Sequence, residues 1–380
     1  YKMREVDGQT MKNRKFLILM TVVMALALVL TGCGGKKEEP KKEAPKAAEK
    51  LKVAFVYVGP VGDAGWTYAH DQARKYLESK VPGVQTVFVE SVPEGADSER
   101  VITQLVEQGA KIVFTTSFGY MDPTINVAKK YPGVTFMHCS GFKTAPNVGT
   151  YFGRMYQARY LSGIAAGKQT KSNTIGYVAA FPIPEVVRGI NAFTLGVRSV
   201  NPQAKVKVIW TNTWYDPAKE KQAAMSLLDA GADVIAQHQD TPGPMQAAQE
   251  KGKFGIGYNT DMSKMAPKAV LTSPVWNWGP YYVKVVEGVK NKTWKNEQYW
   301  GSMKDNVIDL APFGPMVTDD TKKLIADSKK KIVDGTWDVF WGPVKDQTGA
   351  VKIAAGQKMS DADMLGFNWF VEGVDGTIPK

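Results

Sequence analysis

From Leu51 onward, short runs of β-branched and apolar residues alternate with stretches whose apolar positions recur at helical spacing. The runs predict strands at Leu51–Val58, Thr86–Glu90, Ile112–Thr116, Val134–His138 and Val148–Phe152. Helices are expected between them, at Trp66–Ser79, Asp97–Gln108 and Pro123–Lys130, followed by a longer one at Arg154–Lys168. The pattern then restarts, with strands expected at Thr174–Ala179, Lys205–Trp210, Asp233–Gln237, Phe254–Tyr258 and Ala269–Ser273. Strands and helices alternating at this length predict an α/β chain with parallel, doubly wound sheets and helices on both faces.

The restart is an internal repeat. Adding 122 to the position carries Val53-Ala54-Phe55-Val56 onto Ile175-Gly176-Tyr177-Val178. The same offset carries Gly109-Ala110-Lys111-Ile112-Val113 onto Gly231-Ala232-Asp233-Val234-Ile235, and Gly133-Val134-Thr135-Phe136 onto Gly255-Ile256-Gly257-Tyr258. Two similar, Rossmann-like lobes facing one another across a cleft are therefore expected. Hinge crossovers are expected near Lys168–Ser172, Ser273–Gly279 and Ile308–Phe313.

What precedes Leu51 reads differently. Lys12, Arg14 and Lys15 form a basic start, and Phe16 to Leu30 is an apolar run of signal-peptide length. The run ends in Leu30-Thr31-Gly32-Cys33, which resembles a bacterial lipobox and makes Cys33 the expected lipidation site. Met11 opens this signal, so residues 1–10 are expected to lie upstream of the true start. Gly34 to Lys52 is rich in Lys, Glu, Pro and Ala and reads as a solvated tether. The expected organisation is a signal peptide at 1–32 and a lipidated cysteine with its tether at 33–50. Lobe one then comprises 51–168 plus roughly 277–308, and lobe two 172–274 plus roughly 309–380.

Bulk properties narrow the function classes. The 380 residues suffice for about two domains, and the net charge is +11. Part of that charge sits in the N-terminal segment and tether, and the remaining lysines are scattered with no aromatic-interleaved basic stripe. Nucleic acid is not an expected partner. Cys139 is the one cysteine beyond the lipobox, which leaves no disulfide or cysteine-rich metal site in the mature domain. Neither a GxSxG nor an HExxH motif occurs, and Gly163 to Gln169 fails the phosphate-loop spacing. Neither catalysis, a cofactor nor a metal is expected.

Aromatics and carboxylates collect in the loops after the predicted strands, where open α/β sheets bind ligands. The loop Val58–Gln72 carries Asp63 and Trp66, and the loop after the third strand carries Phe118. Across the expected cleft stand His238, Asp240, Tyr258, Asp261, Trp276 and Asn277. Aromatic faces stack on planar rings, each worth about 1–3 kcal/mol for a base. Carboxylates accept ring and exocyclic N–H groups, and His and Asn donate or accept. The competing reading is structural: a large aromatic at a strand end often plugs the core, and Trp66 could close a tight turn. His70, inside a helix, is expected to be a satisfied or surface residue, and Trp294, Trp300, Trp337 and Trp341 to be core or partner surface.

At these residues the chain resembles the BMP (basic membrane protein) family of solute-binding lipoproteins, over essentially all of Leu51–Pro379. Asp63-Ala64-Gly65-Trp66 matches its Asp-x-x-aromatic element, and Thr272-Ser273 its Thr-Ser pair. Gly257-Tyr258-Asn259-Thr260-Asp261 keeps only the second Asp of its Gly-x-Asp-x-Asp element, and Trp276-Asn277-Trp278 stands where nucleoside binders carry a lysine. The resemblance implies the type I periplasmic binding fold and an extracytoplasmic, lipid-anchored binding protein that serves an ABC permease and ATPase. The lost Asp and Lys favour a purine-type nucleobase over a nucleoside, delivered by a monomer. The same fold binding a purine nucleoside or an aromatic-caged organic cation, a ligand-sensing subunit for a membrane receptor and a nucleosidase are the alternatives.

Overall fold

The computed structural model describes residues 50–380; the signal segment, Cys33 and most of the tether lie outside the described residues. The first half of the chain runs β1 (Leu51–Val56), α1 (Trp66–Lys80), β2 (Val84–Val89), α2 (Ala96–Glu107), β3 (Ile112–Thr115), α3 (Met121–Lys130), β4 (Thr135–Cys139), β5 (Val148–Gly153) and α4 (Tyr156–Gln169). The next part repeats it as β6 (Thr174–Ala179), α5 (Pro184–Val200), β7 (Lys205–Trp210), α6 (Pro217–Asp229), β8 (Val234–His238), α7 (Gly243–Glu250), β9 (Phe254–Ile256) and β10 (Val270–Thr272). The chain continues through β11 (Pro274–Trp276), α8 (Gly279–Lys290), β12 (Gln298–Gly301), β13 (Ile308–Leu310) and α9 (Asp319–Val333). It ends in β14 (Val344–Lys345), β15 (Val351–Ile353), α10 (Asp361–Leu365) and β16 (Val374–Asp375).

Two parallel sheets result, ordered β12-β5-β4-β3-β1-β2 and β10-β9-β8-β6-β7-β16. The central strands β1, β3, β6 and β8 are buried on both faces and read as largely apolar runs, whereas the outer strands β2 and β7 keep polar, partly exposed positions. In β1, Val53 and Phe55 pack on the α1/α8 side with Leu77 and Tyr282, while Ala54 and Val56 pack on the α2/α3 side with Ile102, Leu105 and Val127. The rings of Phe55 and Phe114 stack at 4.9 Å across neighbouring strands. In β6, Ile175 and Tyr177 face α5 while Val178 faces α6 and α7. The strand order reverses between β1 and β3, and between β6 and β8; these are the switch points at which such sheets open a ligand crevice.

Strand pairing tests the repeat residue by residue. Val53 lies beside Ile112 in the first sheet and Ile175 beside Val234 in the second, which preserves the offset of the sequence repeat. The fourth strands do not keep it. Thr135 sits beside Ile112, whereas Phe254 sits beside Val234, so Thr135 corresponds to Phe254 and the match to Gly257 slips by three residues. β9 consequently ends at Ile256, and Tyr258 belongs to the loop beyond it.

The first crossing also differs from expectation. Rather than near Lys168–Ser172, the chain leaves the first sheet at the end of β5, because α4 lies along α5 and against β13. The contact is backbone to backbone: a Cβ on Gly163 would lie 2.2 Å from the Phe193 carbonyl oxygen, and one on Gly196 2.0 Å from that of Tyr160. α8 and β12 return to the first sheet, where β12 pairs with β5 and α8 packs on α1. Between the two sheets, β11 and β13 form an antiparallel pair. Gly196→Ala cannot be absorbed by rotating a side chain. It is expected to cost at least about 1–3 kcal/mol, the usual range for overpacking, and urea unfolding with an unchanged midpoint would contradict the close α4–α5 contact.

Candidate functional site

The loop after β1 is organised by Asp63. Its Oδ1 accepts from the N–H groups of Gly65 (2.8 Å) and Tyr68 (2.9 Å), and its Oδ2 from that of Thr67 (2.8 Å). A carboxylate on the first free N–H groups of a helix satisfies donors that have no partner within the helix and opposes the positive end of its dipole. Burial pushes the Asp63 carboxyl up to about 6 against these bonds, which pull the other way. Both oxygens are thus committed to the loop. Ala64 takes a left-handed conformation, φ 61°, and its carbonyl accepts from the Thr260 hydroxyl of the facing lobe. Gly65 sits against the Asp240 backbone, where an added Cβ would stand 2.2 Å from the carbonyl oxygen.

Trp66 opens α1 and reaches the cleft. Its indole Nε1 donates to the Thr116 carbonyl at 2.6 Å, which fixes the ring across the switch point between β1 and β3. Trp276 stands edge-on to it at 5.7 Å and stacks on Trp278 at 4.6 Å. Between the lobes lies a pocket lined by Val58, Trp66, Ser117, Phe118 and Ser140 from lobe one and by Glu185, Trp214, His238, Asp240 and Tyr258 from lobe two. Each lobe supplies two of its aromatics, and every lining residue stands at or beyond the carboxyl end of a strand.

The polar groups of the cavity are under-satisfied by the protein. Asp240 is buried and its Oδ2 has no hydrogen-bond partner. Burial, then the neighbouring charges of Asp63, Glu220, Glu185 and Glu94, raise its carboxyl well above the usual range. His238 places Nε2 3.4 Å from Glu185 Oε1 and packs against Tyr258 at 4.7 Å. Beneath the Tyr258 ring lies the Arg159 guanidinium, 3.5 Å from the centroid.

The structure therefore brings together Trp66, Phe118, His238, Asp240 and Tyr258 of the predicted set. Asp63 is adjacent but faces its own loop. Trp276 backs Trp66 rather than lining the cavity, and its Nε1 donates to Asn259 Oδ1 at 2.9 Å. Two expectations are corrected. Asp261 is exposed and accepts from the Ser263 N–H, because the loop after β9 turns it outward. Asn277, the residue after β11, is also exposed, donating its side-chain N–H to the Asn306 carbonyl while its neighbours Trp276 and Trp278 turn inward. Glu185, Trp214, Ser117 and Ser140 were not singled out from sequence. The repeat offered a signal for Glu185, since it places the loop after β6 opposite the loop after β1.

All three histidines of the chain are buried and held neutral. Burial lowers His70 to about 3 and His138 and His238 to about 4. The unfolded chain takes up these protons first, so the stability they contribute is complete above about pH 6.5 and is lost as the pH falls toward 4. In an NMR titration of the folded protein the three imidazoles are expected to remain neutral at pH 5.5. A midpoint near 6.5 for His238 would contradict its burial.

Comparison with known proteins identifies the architecture. The family described as Bmp, ABC transporter substrate-binding protein PnrA-like, matches residues 50–336. A purine-binding protein of Brucella abortus is 48% identical over 338 residues, covering 89% of this chain and 96% of the relative. A putative ABC transporter glucose-binding protein of Haloferax volcanii is 41% identical over 346 residues, covering 91% and 86%. Among solved structures, an ABC transporter solute-binding protein of Aeropyrum pernix shares the fold, with a TM-score of 0.67, 19% identity and coverage of 78% and 93%. The sheets, the cleft at their switch points and these similarities agree: the chain belongs to the Bmp family of ABC transporter substrate-binding proteins, which bind and hand over solutes and are not enzymes.

Proposed function

We propose that the cleft binds a purine-type nucleobase and presents it to an ABC permease and ATPase, with the protein held outside the cytoplasm by a lipid on Cys33. The observation that carries the ligand is the Asp240 carboxyl, its Oδ2 buried without a partner in a pocket that receives two aromatic side chains from each lobe. A planar heterocycle satisfies both features, stacking on the rings while its N–H and ring nitrogen meet the carboxyl. A carboxyl that holds its proton more tightly than a surface carboxyl donates as well as accepts, which suits a ring edge where a donor and an acceptor stand side by side. The Brucella relative, named for purine binding, supports the same class.

The Haloferax relative, named as a putative glucose-binding protein, supplies a second reading. Sugar hydroxyls each need a donor or acceptor, whereas the faces of Trp66, Phe118, Trp214 and Tyr258 favour a flat ring. The Arg159 guanidinium behind Tyr258 disfavours a caged cation.

Calorimetry with adenine, guanine, hypoxanthine, adenosine and glucose separates these readings. At least one base is expected to bind at least tenfold more tightly than adenosine and glucose; preference for either of the latter sinks the proposal. In the same assay Trp66→Ala is expected to weaken the base by more than tenfold, given about 1–3 kcal/mol per stacked face. Asp240→Asn should weaken it by about tenfold, in line with about 1–3 kcal/mol for a buried polar pairing. Unchanged affinity in both variants would move the ligand elsewhere.

A further inference from the structure

Behind the cleft, three buried polar atoms converge without protein partners. They are Arg159 Nε from α4, Tyr177 Oη from β6 and His238 Nδ1 at the end of β8. All three residues are nine-tenths or more buried. Their meeting point is Gly189 on α5: a Cβ added there would lie 3.6 Å from Arg159 Nε, 3.7 Å from His238 Nδ1 and 3.7 Å from Tyr177 Oη. Unpaired groups of this kind are costly in a protein interior. Ordered water is the usual remedy where the space is polar and two to four partners surround it.

We propose that this spot is a specific site for one water molecule, and that the water sets the tautomer of His238 and through it the placement of Glu185 in the cleft. A water oxygen stands off Gly189 by a van der Waals contact rather than a bond, and so lies nearer the three atoms than a Cβ would. Arg159 Nε–H can only donate, so it gives its proton to the water oxygen. The water donates one hydrogen to His238 Nδ1 and meets the Tyr177 hydroxyl with its remaining capacity. A neutral imidazole that accepts at Nδ1 carries its single proton on Nε2. Nε2–H then points at Glu185 Oε1, 3.4 Å away.

Glu185 lines the ligand cavity beside Asp240, so the relay leaves a fixed carboxylate oxygen facing any ligand N–H. The remaining guanidinium contacts anchor the relay, since Arg159 Nη1 donates to the Gln237 carbonyl at 2.6 Å and the whole group lies on the Tyr258 ring. Arg159 and Tyr177 are thus positioning residues that act through His238 and never touch the ligand. Its effect on affinity rests on the cleft being the ligand site; the tautomer does not.

Gly189→Ala isolates the water. The methyl group meets its neighbours at ordinary contact distances and occupies the space of the oxygen, and the helical backbone accepts alanine. Tyr177→Phe removes one partner with little change in shape. With three histidines in the chain, imidazole 15N resonances near pH 7 are readily assigned. The wild type is expected to show the Nε2–H tautomer at His238, and both variants a mixture, with melting temperatures within a few degrees of wild type. Affinity for adenine or hypoxanthine should fall about tenfold in Gly189→Ala. An Nδ1–H tautomer in the wild type, or an unchanged tautomer in Gly189→Ala, overturns the relay. Failure of the wild type to bind any base would count against the nucleobase reading alone, because the tautomer is read without ligand.

Discussion

The cleft depends on the three backbone N–H groups that Asp63 gathers at the start of α1. That arrangement fixes where the helix begins and therefore which residue is its first. Trp66 takes that place and swings its indole over to the Thr116 carbonyl. The same turn sets Ala64 in its left-handed conformation, with its carbonyl toward Thr260, and lays Gly65 on the Asp240 backbone. One carboxylate thus builds a wall of the site, supplies its aromatic face and brings the facing lobe into contact. Only glycine fits at the seam, since any Cβ would strike a backbone oxygen that cannot move aside.

Enclosure changes the chemistry of what it encloses. Asp240, His238 and Glu220 lose solvent, and burial drives the acids up and the histidine down. Glu220 keeps three donors, the hydroxyl and N–H of Thr241 and the N–H of Asp216, and rises to about 7. Asp240 keeps none for its Oδ2 and is pushed well above the usual carboxylate range. A dry carboxyl lacking a partner is costly for the protein alone and selective for a ligand that completes it.

Much of this was legible in the sequence because the signals were strong and local. The central parallel strands are runs of mostly apolar residues, and the paired restart pointed to both lobes and the loops that face each other. What escaped depended on registers and faces. A three-residue slip in β9 moved Tyr258 into a loop and sent Asp261 outward. Just past β11, Asn277 turned outward while its neighbours Trp276 and Trp278 turned inward. The first crossing was misplaced because Tyr156 to Gly167 is buried all round, so α4 offers no polar face from which its partner could be read. Asp63 shows a further difficulty: the residue type that caps a helix is also one that holds a ligand, and only geometry tells them apart.

The central claim is that two lobes close on a flat, nitrogen-bearing ring held by aromatics and Asp240. Native mass spectrometry of the full-length protein, purified without added ligand and then denatured to release what it carries, tests this most directly. A free purine base in the released fraction is the predicted result. A nucleoside, a hexose or an organic cation in its place would contradict it.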